Sequence, residues 1–122
     1  MPKRAAAVIA PSHPISEIKA ELFRALAHPA RVRVLELLAE HERSVSEMVP
    51  LVGIESSHLS QQLGILRRAN LVTTRKEGST VFYAIRDPQL VKVLAAAKQV
   101  LINSLAETHD LLQDLRDAVE GA

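Results

Sequence analysis

Five short hydrogen-bonding side chains fall within six residues: Ser56, Ser57, His58, Ser60 and Gln61. Serine hydroxyls can match several base edges, and a glutamine amide can pair bidentately with adenine in a major groove. Arg67 and Arg68 follow one turn from the end of the same segment, and Arg75 and Lys76 stand shortly beyond. Guanidinium and ammonium groups at that distance suit phosphates, as do the open N–H groups and dipole of a helix N-terminus. This is the chemistry of contact with double-stranded DNA. The competing reading of the same row is a solvated surface face, which any helix exposed to water needs.

Other chemistries lack their parts. The chain has no Cys, which removes disulfides, thiolate metal sites and thiol redox sensing together. It has no Gly-rich phosphate loop and no acid–base pair beside a nucleophile, so an enzyme is not expected. Of the five histidines, His13 sits near the start, His28 precedes Pro29 as a cap or loop residue, and His41 reads as surface. His109 has Glu107 and Asp110 as neighbours. Positions 107 and 109 lie about 200° apart on a helix and cannot chelate together. Position 113 shares the face of His109 but holds Gln, and an amide is a poor transition-metal ligand. Neither a metal site nor a cofactor is expected.

The elements that must position this row are legible in the spacing. Ile15, Ile18, Leu22 and Leu26 repeat at three and four, the stripe of a first helix. Pro29 stops it and opens a second, with Val34, Leu35 and Leu38 on one side. Ser44 and Glu47 have capping-box spacing and open a third. That helix should be short, because Pro50 lacks an N–H and clashes with the carbonyl of Ser46. A turn at Gly53 leads to a fourth helix from about Ser56 to Ala69, with Leu59, Leu63 and Leu66 inward. The period then changes to two: 71–76 and 81–85 read as strands of a hairpin around Glu77-Gly78-Ser79-Thr80. Asp87-Pro88 opens a long final helix striped by Leu90, Leu94, Ala97, Leu101, Leu105 and Leu112.

The expected fold is therefore mainly α with a small β-hairpin, in the order helix, helix, helix, helix, strand, strand, helix. The third and fourth helices form a helix-turn-helix, and the hairpin with Arg75 and Lys76 is its wing. Residues 1–14, Ala-rich with three prolines, read as a flexible N-terminal arm, and 15–122 as one winged-helix DNA-binding and dimerisation domain. With 122 residues, 48% apolar and only Phe23, Phe82 and Tyr83 aromatic, the core must be aliphatic. No apolar run approaches the roughly 20 residues of a membrane helix. Ala5–Ala10 is too short for a signal-peptide core, so the chain is expected in the cytoplasm, away from membranes.

Net charge is +1, but unevenly spread. Residues 53–86 carry +3, from Arg67, Arg68, Arg75, Lys76 and Arg86 against Glu55 and Glu77, whereas 87–122 carry −3. The middle is expected to meet an anion and the end is not. The final stripe is longer than a small domain can cover, so a copy of the chain across a two-fold axis is the expected partner. Ile15, Leu22 and Phe23 of the first helix and Leu94, Leu101 and Leu105 of the last are the candidate dimer residues.

Three segments together resemble a known family. Residues 26–38 (LAHPARVRVLELL) resemble the second-helix signature of arsenic-repressor (ArsR/SmtB-type) winged-helix regulators. Residues 44–72 resemble its third and recognition helices, and 75–85 its wing. The likeness covers about residues 15–105. It implies a homodimeric repressor that leaves an inverted-repeat operator when an effector binds. Metal-sensing members often carry a Cys pair in the third helix, where this chain has Ser44–Val49 without a thiol. Others use His on the final helix, and residues 87–101 contain none. The effector implied is one other than a thiolate-bound metal, its chemistry left open by the residues. A winged-helix protein-interaction module without DNA binding is the alternative; the basic 53–86 segment and the Ser/His/Gln row favour DNA.

Overall fold

Proline geometry sets the first boundaries in a computed structural model of the chain, which describes residues 14–121. The arm expected over residues 1–14 lies outside the described residues except for Pro14, whose extended backbone (φ −62°, ψ 149°) leads into α1 (Ile15–Leu26). A residue before proline avoids helical backbone. His28 is accordingly extended (φ −153°, ψ 130°), and its Nδ1 accepts the Ala30 N–H at 3.0 Å. Pro29 then occupies the first position of α2 (Pro29–Glu40), as expected.

A two-residue strand, β1 (Arg43–Ser44), precedes α3 (Val45–Val52). The expected capping box is present. Ser44 Oγ accepts the Glu47 N–H at 3.3 Å, and the Ser44 N–H donates to Glu47 Oε1 at 2.8 Å. The Ser44 backbone N–H, and after it the Ser44 hydroxyl, hold the Glu47 carboxyl below its ordinary value of 4.5. The helix is short, as expected, but it runs two residues past Pro50, to Val52. The proline removes a single bond to the carbonyl of Ser46, an exposed residue of the first turn whose oxygen can meet water, and the helix ends within two residues anyway. It stops at Gly53, whose left-handed backbone (φ +81°) few other residues adopt at no cost and whose N–H reaches Val49 O at 2.9 Å.

The fourth helix, α4 (Ser56–Arg68), closes with a Schellman pair. Leu71 N–H bonds Leu66 O and Asn70 N–H bonds Arg67 O, each at 3.0 Å, with Asn70 at φ +62°. Strands β2 (Val72–Glu77) and β3 (Thr80–Ile85) pair antiparallel from Val72↔Ile85 to Glu77↔Thr80. The expected four-residue connection thus shrinks to Gly78-Ser79, with glycine at φ +63° in the first place of a two-residue loop. β1 adds a third strand the sequence did not suggest, pairing Arg43↔Tyr83 and Ser44↔Phe82 in the order β1-β3-β2.

The result is a winged helix-turn-helix. Val34, Leu35, Met48, Leu59, Leu63, Leu66 and Val72 have almost no exposure, an aliphatic core without a buried aromatic. The described residues form two compact units that divide between Arg86 and Asp87. The second is one helix, α5 (Gln89–Glu120), of 32 residues and so about 48 Å long. Asp87-Pro88 opens it as expected, with Asp87 Oδ1 accepting the Gln89 N–H at 2.9 Å, but Pro88 stands at the cap position and the helix proper begins at Gln89. Among the described residues no helix is long and apolar enough to cross a membrane.

Ser44→Ala should cost about 1 kcal/mol in urea unfolding, the ordinary worth of such a cap. Because the folded Glu47 value lies below 4.5, its stabilisation is present above that pH and lost as pH falls through the lowered value. Glu47→Gln should therefore lose less thermal stability than the parent between about pH 5 and about pH 3.

Candidate nucleic-acid interface

Leu59, Leu63 and Leu66 are fully buried and fix the inner face of α4. A fourth inward residue, Gln62, is 7% exposed, and its position was legible in the 59/62/63/66 spacing although the sequence reading passed over it. Its Oε1 accepts from Arg31 Nη1 at 2.8 Å. The same guanidinium donates to Ala25 O at 2.7 Å through Nε and to Arg24 O at 3.2 Å through Nη2. One side chain from the first turn of α2 thus joins the last turn of α1 to α4. Hydrophobic burial holds α4 down, and this bonded set defines its rotation.

With that face committed, Ser56, Ser57, His58, Ser60 and Gln61 are all exposed. The expected row is present and continuous. No side chain caps the N-terminus of α4, where Glu55 has extended backbone, so the first-turn N–H groups stay open. The His58 ring stands edge-on to that of His28, centroids 6.1 Å apart, which leans it toward the start of α2. Arg67 and Arg68 are exposed in the last turn, where their charge also complements the helix dipole. Arg68 folds back along α4, close enough that a Cβ at Gly64 would lie 3.2 Å from its Nη1. It borders an open cleft of about 720 Å³ floored by Ile18, Leu22, Ala25 and Ile65.

On the wing, Arg75 and Lys76 are exposed but do not act as a pair. Neighbours on a strand point to opposite faces. Arg75 Nε donates to both carboxylate oxygens of Glu42 at 2.9 and 3.0 Å, and its Nη1 donates to Glu77 Oε2 at 2.7 Å. Its guanidinium lies 4.6 Å from the centre of the Phe82 ring. The Arg75 bond holds the Glu42 carboxyl below its ordinary value, and Glu42 with Glu77 in turn raises that of Arg75. Among the described residues Lys76 forms no ion pair. Glu42 escaped the sequence reading because it lies 33 residues from its partner.

The candidate dimer residues divide. Ile15, Phe23, Leu101 and Leu105 are 70, 59, 64 and 70% exposed, far too open to serve the core, while Leu22 and Leu94 are half-buried. Among the described residues no three His, Asp or Glu side chains converge as a metal site.

Residues 28–74, from the cap of α2 into β2, match the model for bacterial regulatory proteins of the arsR family. Over 106 residues the chain is 50% identical to the HTH-type transcriptional regulator Rv0081 of Mycobacterium tuberculosis, covering 86% of this chain and 93% of that protein. The chain belongs to the arsR family. It is thus a transcriptional regulator and not an enzyme. The crystal structure of Rv0081 superposes on this arsR-family regulator with a TM-score of 0.72, covering 77% of this chain and 95% of that one. A homodimeric winged helix-turn-helix DNA-binding domain from Mycobacterium bovis, 26% identical, gives 0.75 over 85% of this chain and 95% of that one. A biofilm growth-associated repressor of Agrobacterium fabrum is 40% identical over 75 residues, 62% of this chain and 64% of that protein.

The Arg31 junction is open to test by unfolding. Arg31→Met should cost roughly 1–3 kcal/mol, since two part-buried acceptors and one exposed one lose a charged donor. Gln62→Met should cost less, and the double variant less than the sum of the two, because both remove the same bond.

Proposed function

We propose that this regulator is a homodimeric, sequence-specific DNA-binding repressor of the cytoplasm. The observation that carries the proposal is the two-faced α4: Leu59, Gln62, Leu63 and Leu66 buried, and Ser56, Ser57, His58, Ser60 and Gln61 bare on the other side. A helix held rigidly by one face can lie in a major groove by the other. Gln61 and His58 read base edges, and the three serines take bases or nearby phosphates. Arg67, Arg68 and Lys76 meet phosphates, which position the protein without specifying sequence. A protein adaptor would have no use for an uncapped, polar helix N-terminus on a segment that ends in two arginines.

A second copy covers the exposed apolar residues. Ile15 and Phe23 of α1, with the cleft beside Ile18 and Leu22, offer one such surface, and Leu101 and Leu105 of α5 another. Two recognition helices related by a two-fold axis read an inverted repeat with half-site centres about 34 Å apart. The effector that releases DNA is not a thiolate-bound metal, for the chain has no thiol.

A salt-titrated gel shift with DNA from upstream of the regulator's own gene tests the reading, with footprinting on the same fragment. A two-fold symmetric footprint is expected; protection of one asymmetric half-site by a monomer would overturn it. Gln61→Ala and His58→Ala should relax base preference, by about 1–3 kcal/mol for a lost bidentate contact. Leu101→Glu should weaken dimerisation in sedimentation, because a buried unpaired charge costs several kcal/mol. Operator affinity should fall with it, since linked half-sites bind through effective concentration.

A further inference from the structure

We propose that Glu42 is a positioning residue for the wing. Together with Glu77 and the Phe82 ring it holds Arg75 as an internal brace, and Lys76 is left as the cation the wing offers to DNA. The second clause rests on the DNA-binding reading above; the first does not.

Strand register supplies the geometry. Arg75 stands opposite Phe82 on β3, and Ser44 stands opposite Phe82 from the other side. Glu42 precedes Arg43, the partner of Tyr83, and so meets the sheet at its root on the β1 edge. The guanidinium reaches across β3 to that edge. All three of its nitrogens are engaged: Nε and Nη2 with Glu42, Nη1 with Glu77. Its face lies against Phe82. Three of its five N–H donors are thus committed to carboxylates, and a phosphate approaching the two that remain would be repelled by both of them.

Lys76 is differently placed. It is exposed, pairs in register with Val81, and shares its strand face with the buried Val72 rather than with Arg75. No carboxylate competes for it among the described residues. The brace also meets a structural need. A two-stranded hairpin is marginal alone, and β1 contributes only two residues of pairing. Isolated surface ion pairs are worth little, but a bidentate arginine shared by two carboxylates and stacked on a ring is the arrangement in which they count.

The test uses the full-length protein and two independent readouts. Amide hydrogen exchange over residues 76–80 reports the wing without DNA. The slope of log affinity against log salt, on DNA from upstream of the gene, reports phosphate contacts. Arg75→Ala and Glu42→Ala should each speed wing exchange roughly fivefold, and the double variant should add little more. Neither should change the salt slope. Lys76→Ala should leave exchange alone and reduce the slope by about 0.9. Unchanged wing exchange in Arg75→Ala and Glu42→Ala would overturn the brace. So would a slope reduced by about 0.9 in Arg75→Ala with tighter binding in Glu42→Ala, which would make Arg75 a phosphate contact that Glu42 masks. An unchanged slope in Lys76→Ala would overturn the second clause. If the parent protein binds no DNA, the DNA-binding reading and the Lys76 clause fall, while exchange still decides the brace.

Discussion

Burial of Leu59, Leu63 and Leu66 is what the remainder of the structure depends on. Each fully buried leucine contributes about 1.5–3 kcal/mol. A helix cap contributes about 1 kcal/mol and an exposed ion pair less. The three leucines together therefore outweigh these polar contacts and decide that α4 is held. Apolar burial has no direction, however, and three leucines tolerate some rotation of the helix about its axis. The bond from Arg31 to Gln62 has direction. Because Arg31 also grips the carbonyls of Ala25 and Arg24, the angle at which α4 shows its outer row is set against two other helices.

What could be read from the residues alone follows the range of the interactions. The two faces of α4, the Ser44–Glu47 box, the His28-Pro29 start of α2 and the strand pair are all local: period, cap and proline state them within a few residues. The shortness of α3 is likewise stated by Pro50, and the helix outlasts it by two residues because the penalty for proline assumes a helix interior, which an eight-residue helix barely has. β1 was invisible, since two residues are too few for alternation to appear. The Arg75–Glu42 bond is a product of tertiary pairing across β3, so the charge run Arg75-Lys76 read as a uniform basic patch when only one member is unpaired. Gln62 is the instructive case. Its spacing put it among the leucines, but its polarity drew attention outward.

The final helix is built on other terms. Two of its three cations, Lys92 and Lys98, fall in the first half, and Arg116 stands in the second against Glu107, Asp110, Asp114, Asp117 and Glu120. Carboxylates near a helix C-terminus oppose the dipole. Val100, Leu101, Leu105, Leu112, Leu115 and Val119 are nevertheless exposed along it. A helix of this composition gains little from its own charges, and its apolar stripe is where further stabilisation must be found.

Ser44 belongs to two pieces of architecture at once. Its backbone pairs with Phe82 as part of β1, and its hydroxyl and N–H close the box that starts α3. The wing and the first helix of the helix-turn-helix therefore share a hinge pin one residue long. A slip of one position in the β1–β3 register would turn that serine over and unlatch the helix in the same motion. A force applied to the tip of the hairpin is delivered directly to α3, and through the Gly53 turn to the base of α4.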